Sequence, residues 1–431
     1  MKTLQVITLG CSKNTVDTEH LLASIPASGY QFKGEDWNGR VDVLLVNTCG
    51  FIGDAKEESI EAVLEAVERK KAGLAGSVVV FGCLSQRYAA ELPAEIPEVD
   101  QWFGARSLDP LIRYLGGVPG KMTGRTILDP RPYAYLKISE GCDRRCSYCA
   151  IPHIRGAHKS VPIEDLVAEA ESLSARGVRE LIIIAQDTTY YGLDLYGERK
   201  LAELLRRLSG VKGIERLRIH YSYPADFPVD VLGQMADNPK ICRYMDIPLQ
   251  HISDKVLASM HRHVDGAWTR ELIARMRREV PGVALRTTMI VGHPGEGEAE
   301  FEELLDFVRE ARFERLGAFI YSEEEGTWGA EHLEDSVPAE EKRRRLDALM
   351  SLQAGISLEA NRARVGKVER VLVDAMVDGT LVCRSEFESP EVDGEILVKS
   401  DDASLVGSFV DVLITGADEY DLIAELYDSG K

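Results

Sequence analysis

The chain of 431 residues has no run of 18 or more apolar residues, which excludes an ordinary membrane-spanning helix. Cysteine is sparse, eight residues in all, so a disulfide-dense scaffold is excluded. Basic residues are outnumbered, 51 to 71, leaving a formal charge of −20. That balance argues against indiscriminate binding to DNA or membranes and suits a basic partner. Internal repeats and low-complexity tracts are missing, so a solenoid is not expected. A secretory start is not expected. Lys2 is followed only by a short apolar stretch, Leu4 to Leu9, interrupted by Gln5 and Thr8. Thr8-Leu9-Gly10-Cys11 faintly resembles a lipoprotein cleavage site, but the apolar region before it is too short. The expectation is a cytoplasmic, reducing location, where clustered thiols mean metal or catalysis.

What is present is ample material for folded domains: 45% hydrophobic and 28% charged residues in a length that implies two or three domains. Residues 1–116 alternate strand and helix signals. Leu4–Leu9, Val41–Val46 and Ser77–Phe81 read as strands, and residues 55–71 as a helix with Ile60, Val63, Leu64 and Val67 on one face. Alternation of this kind predicts a parallel sheet. Residues 116–130 are rich in glycine and proline and read as a linker. From 128 to 364 six further strand signals begin at Tyr135, Leu181, Leu217, Tyr244, Leu285 and Leu316, with helices between them and a long polar helix at the end. Six β/α units predict a complete or partial barrel with its chemistry at the C-terminal strand ends. Residues 366–431 change to five short strand signals without helices, the pattern of a small β-barrel.

Two sets of cysteines carry the chemistry. Cys142, Cys146 and Cys149 form C-x3-C-x2-C directly after the first strand of the central region. Three thiolates on a short loop can hold three corners of a [4Fe–4S] cluster and leave one iron open, and an open position is where chemistry happens. Cys11, Cys49 and Cys83 lie far apart in sequence, yet each follows a predicted parallel strand. The C-terminal ends of such strands share one rim, so these thiols can converge as a second set of three. Cys242 and Cys383 have no such setting and read as packing residues.

With an aromatic residue, Tyr148, inside it, the central loop resembles that of the radical S-adenosylmethionine (SAM) enzymes. Together with the upstream Cys11/Cys49/Cys83 domain and the terminal β-domain, the chain resembles the radical SAM methylthiotransferases over its whole length. Residues 135–142 (YLKISEGC), 246–251 (DIPLQH) and 389–394 (SPEVDG) look like the branch that modifies ribosomal protein S12. The resemblance implies a flavodoxin-like N-terminal α/β domain (1–116), a partial (β/α)6 radical SAM barrel (128–364) and a five-stranded antiparallel TRAM barrel (366–431). It implies two [4Fe–4S] clusters: one on Cys142, Cys146 and Cys149 that cleaves SAM to a 5′-deoxyadenosyl radical, and an auxiliary one on Cys11, Cys49 and Cys83 that presents sulfur. The acceptor would be the β-carbon of an aspartate in S12, with a second SAM giving the methyl group, and an electron donor and a sulfur source as further partners. Gln186, Asp187, Arg155 and the loop Gly292, Gly295 and Glu296 are expected in the vicinity of SAM. His293 stands where the family more often has an aromatic hydrocarbon residue. Gln186 and Asp187 could equally form a helix cap, and His251 could face substrate or end a strand.

Charge separates the candidate substrates. Residues 366–431 hold 16 acids and five bases, −11 net, with Glu386, Glu388, Glu391, Asp393, Asp401 and Asp402 among the acids. A tRNA surface should be a basic groove with stacking aromatics, so a tRNA-adenosine substrate is disfavoured and a basic protein favoured. A non-catalytic iron–sulfur RNA-binding protein would leave the SAM-type cysteine loop without a purpose.

Overall fold

A computed structural model describes residues 1–120, 124–127 and 129–428. Residues 121–123 and 128, part of the expected linker, and residues 429–431 lie outside the described residues.

The N-terminal sheet contains β1 (Lys2–Thr8), β2 (Tyr30–Lys33), β3 (Val43–Thr48), β4 (Val78–Gly82) and β5 (Gln101–Trp102), all parallel, in the order β2-β1-β3-β4-β5. This is the flavodoxin-like order. β3 and β4 are buried at every position, which is why they read as unbroken apolar runs. Helices α1 (Ser12–Ser24), α2 (Gly53–Lys71) and α3 (Cys83–Arg87) follow β1, β3 and β4, and a separate apolar cluster fills each face of the sheet. The edge strands β2 and β5 escape sequence reading because four and two residues are too few to show alternation.

The central sheet begins with β6 (Tyr133–Lys137). A short antiparallel pair, β7 (Ser139–Glu140) and β8 (Lys159–Ser160), then brackets the cysteine loop. β9 (Glu180–Ile184), β10 (Arg216–Ile219), β11 (Ile241–Asp246), β12 (Ala284–Val291) and β13 (Arg315–Ile320) follow. The six strands β6 and β9–β13 are parallel and pair in sequence order, making an open barrel. Alternate residues such as Leu136, Leu181, Leu217, Met245 and Leu285 face the helices and form the main core.

The opposite, concave face is largely polar: Glu180, Arg216, Arg218, His220 and Asp246 lie buried on it, and the partly buried Arg286 pairs with Asp246 there. Two elements cover this face. Val16 of α1 packs on Tyr133, Tyr135, Ile182 and Ile184. The terminal domain contributes residues 385–393. Arg216 donates to the Arg384 and Ser385 carbonyls (3.0 Å each), Ser389 bonds His220 Nε2 (2.8 Å), and the Tyr244 hydroxyl donates to Asp393 (2.7 Å).

The terminal domain is a closed barrel of β14 (Val368–Val377), β15 (Thr380–Arg384), β16 (Ile396–Lys399), β17 (Phe409–Ala417) and β18 (Leu422–Leu426), in the order β14-β15-β16-β18-β17. Four pairings are antiparallel, whereas β16 and β18 run parallel. An odd number of strands cannot alternate direction around a closed ring, so the expected all-antiparallel barrel is corrected at this one seam.

The expected acidic surface is also narrower than its charge count. Glu388 is 1% exposed and pairs with Arg315 (3.1 Å) and Arg364. Asp393 faces Arg286 (3.6 Å) and Tyr244, and Glu391 accepts from Arg131, Tyr133 and Tyr135. These carboxylates balance cations at the domain junction, leaving Asp401 and Asp402 as the exposed members of the set without such a partner there. Among the described residues no helix is long and apolar enough to cross a membrane.

Candidate functional site

Gly141 opens the central cysteine loop. Its φ is +77°, and a Cβ there would sit 2.1 Å from the Ala157 carbonyl oxygen, so only glycine lets the loop close on itself. The Cys142 N–H donates to Gly156 O (3.1 Å) and the Ser147 N–H to Met260 O (3.1 Å). Cys142, Cys146 and Cys149 are half-buried and unbridged. Burial pushes the Cys142 thiol up to about 12 and the Cys149 thiol up as well, and the Cys146 thiol adds to both. Thiols ligate iron only as thiolates, so loading this loop releases protons. The buried Arg262 points a guanidinium N–H at Cys146 Sγ (3.6 Å) and another contact at the Tyr148 hydroxyl (3.3 Å), while stacking on Tyr223 (4.3 Å). Arg144 stacks on the same ring (4.1 Å) and bonds Asp187 (2.9 Å).

The second set sits on the rim of the N-terminal sheet. Cys11 precedes α1, Cys49 follows β3 and Cys83 opens α3. Gly10, at φ +88°, lies so close to Cys49 that an added Cβ would be 3.0 Å from its Sγ. Asn14 ties the rim together, its amide donating to Leu9 O (2.8 Å) and Thr48 O (3.2 Å). Burial raises the Cys49 thiol, and raises Cys83 to about 11 against the pull of Arg155; the other thiols of the set add to both.

Arg155 joins the two sets. It ends the helix Ile151–Arg155, which begins two residues after Cys149, and it is 4% exposed. Its Nε donates to Cys83 Sγ (3.2 Å), and its terminal nitrogens bond Asp17 (2.6 Å), Glu140 (3.1 Å) and Asn14. Lys137 also pairs with Asp17 and with Glu140 (2.7 Å). Arg155, expected in the vicinity of SAM, instead spends its guanidinium on two carboxylates and on the Cys83 side of the junction.

Among the described residues no three His, Cys, Asp or Glu side chains close on a single point tightly enough to hold one metal ion. A cluster asks for a different arrangement, since several thiolates span one large inorganic core. Each set supplies three unbridged thiols, with Cys11 close enough to raise Cys49 and Cys83, and Cys146 close enough to raise Cys142 and Cys149. Room for a polar small molecule is visible in what is unsatisfied. Ser139 Oγ, Ser147 Oγ, Gln186 Oε1, Ser222 Oγ, Gln250 Oε1 and His293 Nε2 are buried without a hydrogen-bond partner, on the cysteine loop or at or just past the ends of β6, β9, β10, β11 and β12. Orphaned atoms concentrated on one rim mark a ligand's place.

The individual residues expected near SAM divide. Gln186 donates to Glu140 (2.7 Å) with its carbonyl oxygen left over. Asp187 is a cap, accepting from the Thr189 N–H (2.9 Å) and hydroxyl, and it also binds Arg144. Gly292 and Gly295 adopt φ +73° and +88°, and a Cβ on Gly292 would meet the Lys342 side chain at 2.3 Å. Glu296 is locked by the Gly292 N–H (2.8 Å) and Arg345 (2.8 Å), with burial raising its carboxyl. His293 packs edge-on against Tyr321 (5.0 Å) and Tyr148 (6.5 Å), and burial lowers it to about 4. His251, fully buried and lowered to about 3 by burial, accepts from the Ser253 N–H (3.0 Å). Sequence reasoning missed Lys13, Arg144, Tyr223 and Arg262. Lys13 and Asn14 stand beside Cys11 and Arg144 lies inside the cysteine loop, so proximity was the available signal; Tyr223 and Arg262 offer none.

The fold and its two cysteine rims define a class. Residues 136–308 match the radical SAM superfamily, residues 3–104 an uncharacterized protein family, UPF0004, and residues 365–426 the TRAM domain. Among solved structures the chain resembles the radical SAM methyltransferase TsrM of Kitasatospora setae (TM-score 0.57, 14% identity, 88% of this chain and 80% of that one). At that identity the likeness shows the fold alone. The family follows from closer relatives. The chain is 51% identical to the ribosomal protein uS12 methylthiotransferase RimO of Porphyromonas gingivalis, covering 99% of both, and 49% identical to that of Phocaeicola vulgatus, covering 98% of this chain and 99% of the relative. The chain belongs to the uS12 methylthiotransferase family.

Proposed function

We propose that this chain is the radical SAM methylthiotransferase that adds a methylthio group to the β-carbon of an aspartate in ribosomal protein S12. The observation that carries the reading is the pairing of two separate thiol triads across one junction, in a chain about half identical to uS12 methylthiotransferases from end to end. When bound, SAM and two [4Fe–4S] clusters supply electron transfer, radical formation and sulfur delivery.

The residues do the rest. Cys142, Cys146 and Cys149 hold the SAM-cleaving cluster, and Arg262 and Tyr223 steady Cys146 with polar contacts (3.6 and 3.8 Å). Cys11, Cys49 and Cys83 hold the auxiliary cluster, and Arg155 fixes Cys83 relative to the barrel. Gln186, Gly292 and Gly295 border the SAM pocket, while Asp187 and Glu296 hold its walls through Arg144 and Arg345. α1 and residues 385–393 cover the concave face, keeping solvent from a reactive carbon centre. The exposed acids of the β-domain, among them Asp401, Asp411 and Glu425, steer a basic protein and repel phosphate backbones. An electron donor and a sulfur source complete the partners.

Mass spectrometry of S12 from cells with and without the protein tests this. A methylthio adduct on an S12 aspartate, present only with the protein, is expected. Unchanged S12 together with a lost tRNA modification would transfer the reading to tRNA.

A further inference from the structure

Lys13 is 8% exposed and lies in the first turn of α1, two residues from Cys11. Its ammonium sits 3.2 Å from the centre of the Tyr221 ring, and it makes no hydrogen bond or ion pair with any described residue. Burial strips it of water, and the first turn is the positive end of the helix dipole. The neighbouring carboxylates are already taken: Asp17 and Glu140 by Lys137 and Arg155, and Asp246 by Arg286 (2.9 Å) and the Tyr221 N–H (2.9 Å). Lys13 therefore has the Tyr221 ring as the only close partner of its ammonium among the described residues and no carboxylate of its own. A buried, unpaired ammonium is a site prepared for an anion.

Its place says which anion. Tyr221 lies just past β10 on the barrel rim, beside Ser222, whose hydroxyl is unpartnered, and Thr188 holds its carbonyl (3.1 Å). Lys13 therefore bridges the Cys11 side and the barrel mouth, the two places an acceptor carbon must visit to lose hydrogen and gain sulfur. We propose that Lys13 determines specificity for an acidic acceptor, its ammonium receiving the side-chain carboxylate of the residue being modified. This rests on the function proposed above. A carboxylate one bond from the reacting carbon is anchored there, the tyrosine face supports the cation when the site is empty, and a neutral or cationic acceptor leaves the charge uncompensated.

The test uses cluster-loaded enzyme with SAM, and S12 carrying either its natural aspartate or asparagine at the modified position. Binding is measured anaerobically for the unmutated chain, Lys13→Met and Lys13→Arg, with iron content and SAM affinity followed alongside. The unmutated chain should bind the aspartate form at least about tenfold more tightly than the asparagine form. Lys13→Met should bind both alike, and Lys13→Arg should recover part of the preference. A preference retained by Lys13→Met, or none in the unmutated chain, overturns the proposal. Loss of iron or of SAM affinity in Lys13→Met with the preference intact in Lys13→Arg and Lys13→Met also overturns it, assigning the lysine to cluster or SAM charge. Should Lys13→Met fail to fold, Lys13→Arg and the unmutated ratio decide. S12 left unmodified by the unmutated enzyme is a failure of the functional reading instead.

Discussion

Glu180→Gln should loosen the terminal β-barrel from the radical SAM barrel without disturbing either cysteine set. Glu180 is the first residue of β9 and fully buried on the concave face. It binds Arg218 (2.9 Å) of the same sheet and Arg384 (3.2 Å) of the terminal domain, with Arg216 at 3.8 Å. Burial alone would raise its carboxyl, but the three guanidiniums win and lower it from 4.5 to about 2. At ~1.4 kcal/mol per pH unit, that preference for the charged form is worth about 3 kcal/mol. The figure agrees with the ~3–5 kcal/mol typical of breaking a buried ion pair from one side. The assay is hydrogen exchange of the β14–β18 amides in the cluster-loaded protein at neutral pH. Only Arg384 of the three guanidiniums lies across the junction, so the docking share is at most about 3 kcal/mol, and its loss should speed exchange through domain release severalfold to roughly a hundredfold. Because the native pKa is depressed, the same stabilisation is complete above pH ~4.5 and drains away as pH falls toward ~2 in the unmutated chain, a dependence the glutamine variant should lack. Protection within a factor of about two of the unmutated protein would refute the reasoning.

Arg155→Met should leave Cys142, Cys146 and Cys149 able to load iron but reduce iron retained by the N-terminal set, read by iron analysis of each variant in a Cys142/Cys146/Cys149→Ala background. It removes the donor to Cys83 and leaves the buried Asp17 and the partly buried Glu140 to Lys137 alone. His293→Phe should flatten an acid sensitivity: the imidazole is held neutral down to pH ~4, so its contribution to stability is full above ~6.5 and falls by up to about 3 kcal/mol as pH drops to 4, seen by thermal unfolding against pH. Reversing the exposed Asp401, Asp411 and Glu425 to Lys should weaken S12 association and lessen its salt dependence in binding titrations, while fold and iron content stay unchanged.

The cysteine geometry was legible in the sequence because strand ends are. β1, β3 and β4 announce themselves as apolar runs, and Cys11, Cys49 and Cys83 follow them directly. The concave face was not legible. Arg216, Arg218, Arg286 and Arg315 alternate with apolar residues, a pattern that ordinarily means a solvated sheet face. Their burial depends on residues 385–393, more than 70 positions downstream, and a long-range charge balance leaves no local period. The same blindness inflated the acidic surface, since Glu388 and Asp393 look exposed until their arginines are located. Arg155 was legible only as a residue near the cysteine loop, and its direction toward Cys83 depends on how α1 docks on β6.

The central claim is that two thiol triads hold two clusters with separate jobs, and a Cys11→Ala, Cys49→Ala, Cys83→Ala variant tests it most directly. Reconstituted anaerobically, the unmutated chain should hold about eight irons and this variant about four. Given SAM, a reductant and S12, the variant should release 5′-deoxyadenosine yet leave S12 without a methylthio group. Normal methylthiolation by this variant, or no loss of iron from it, would contradict the account.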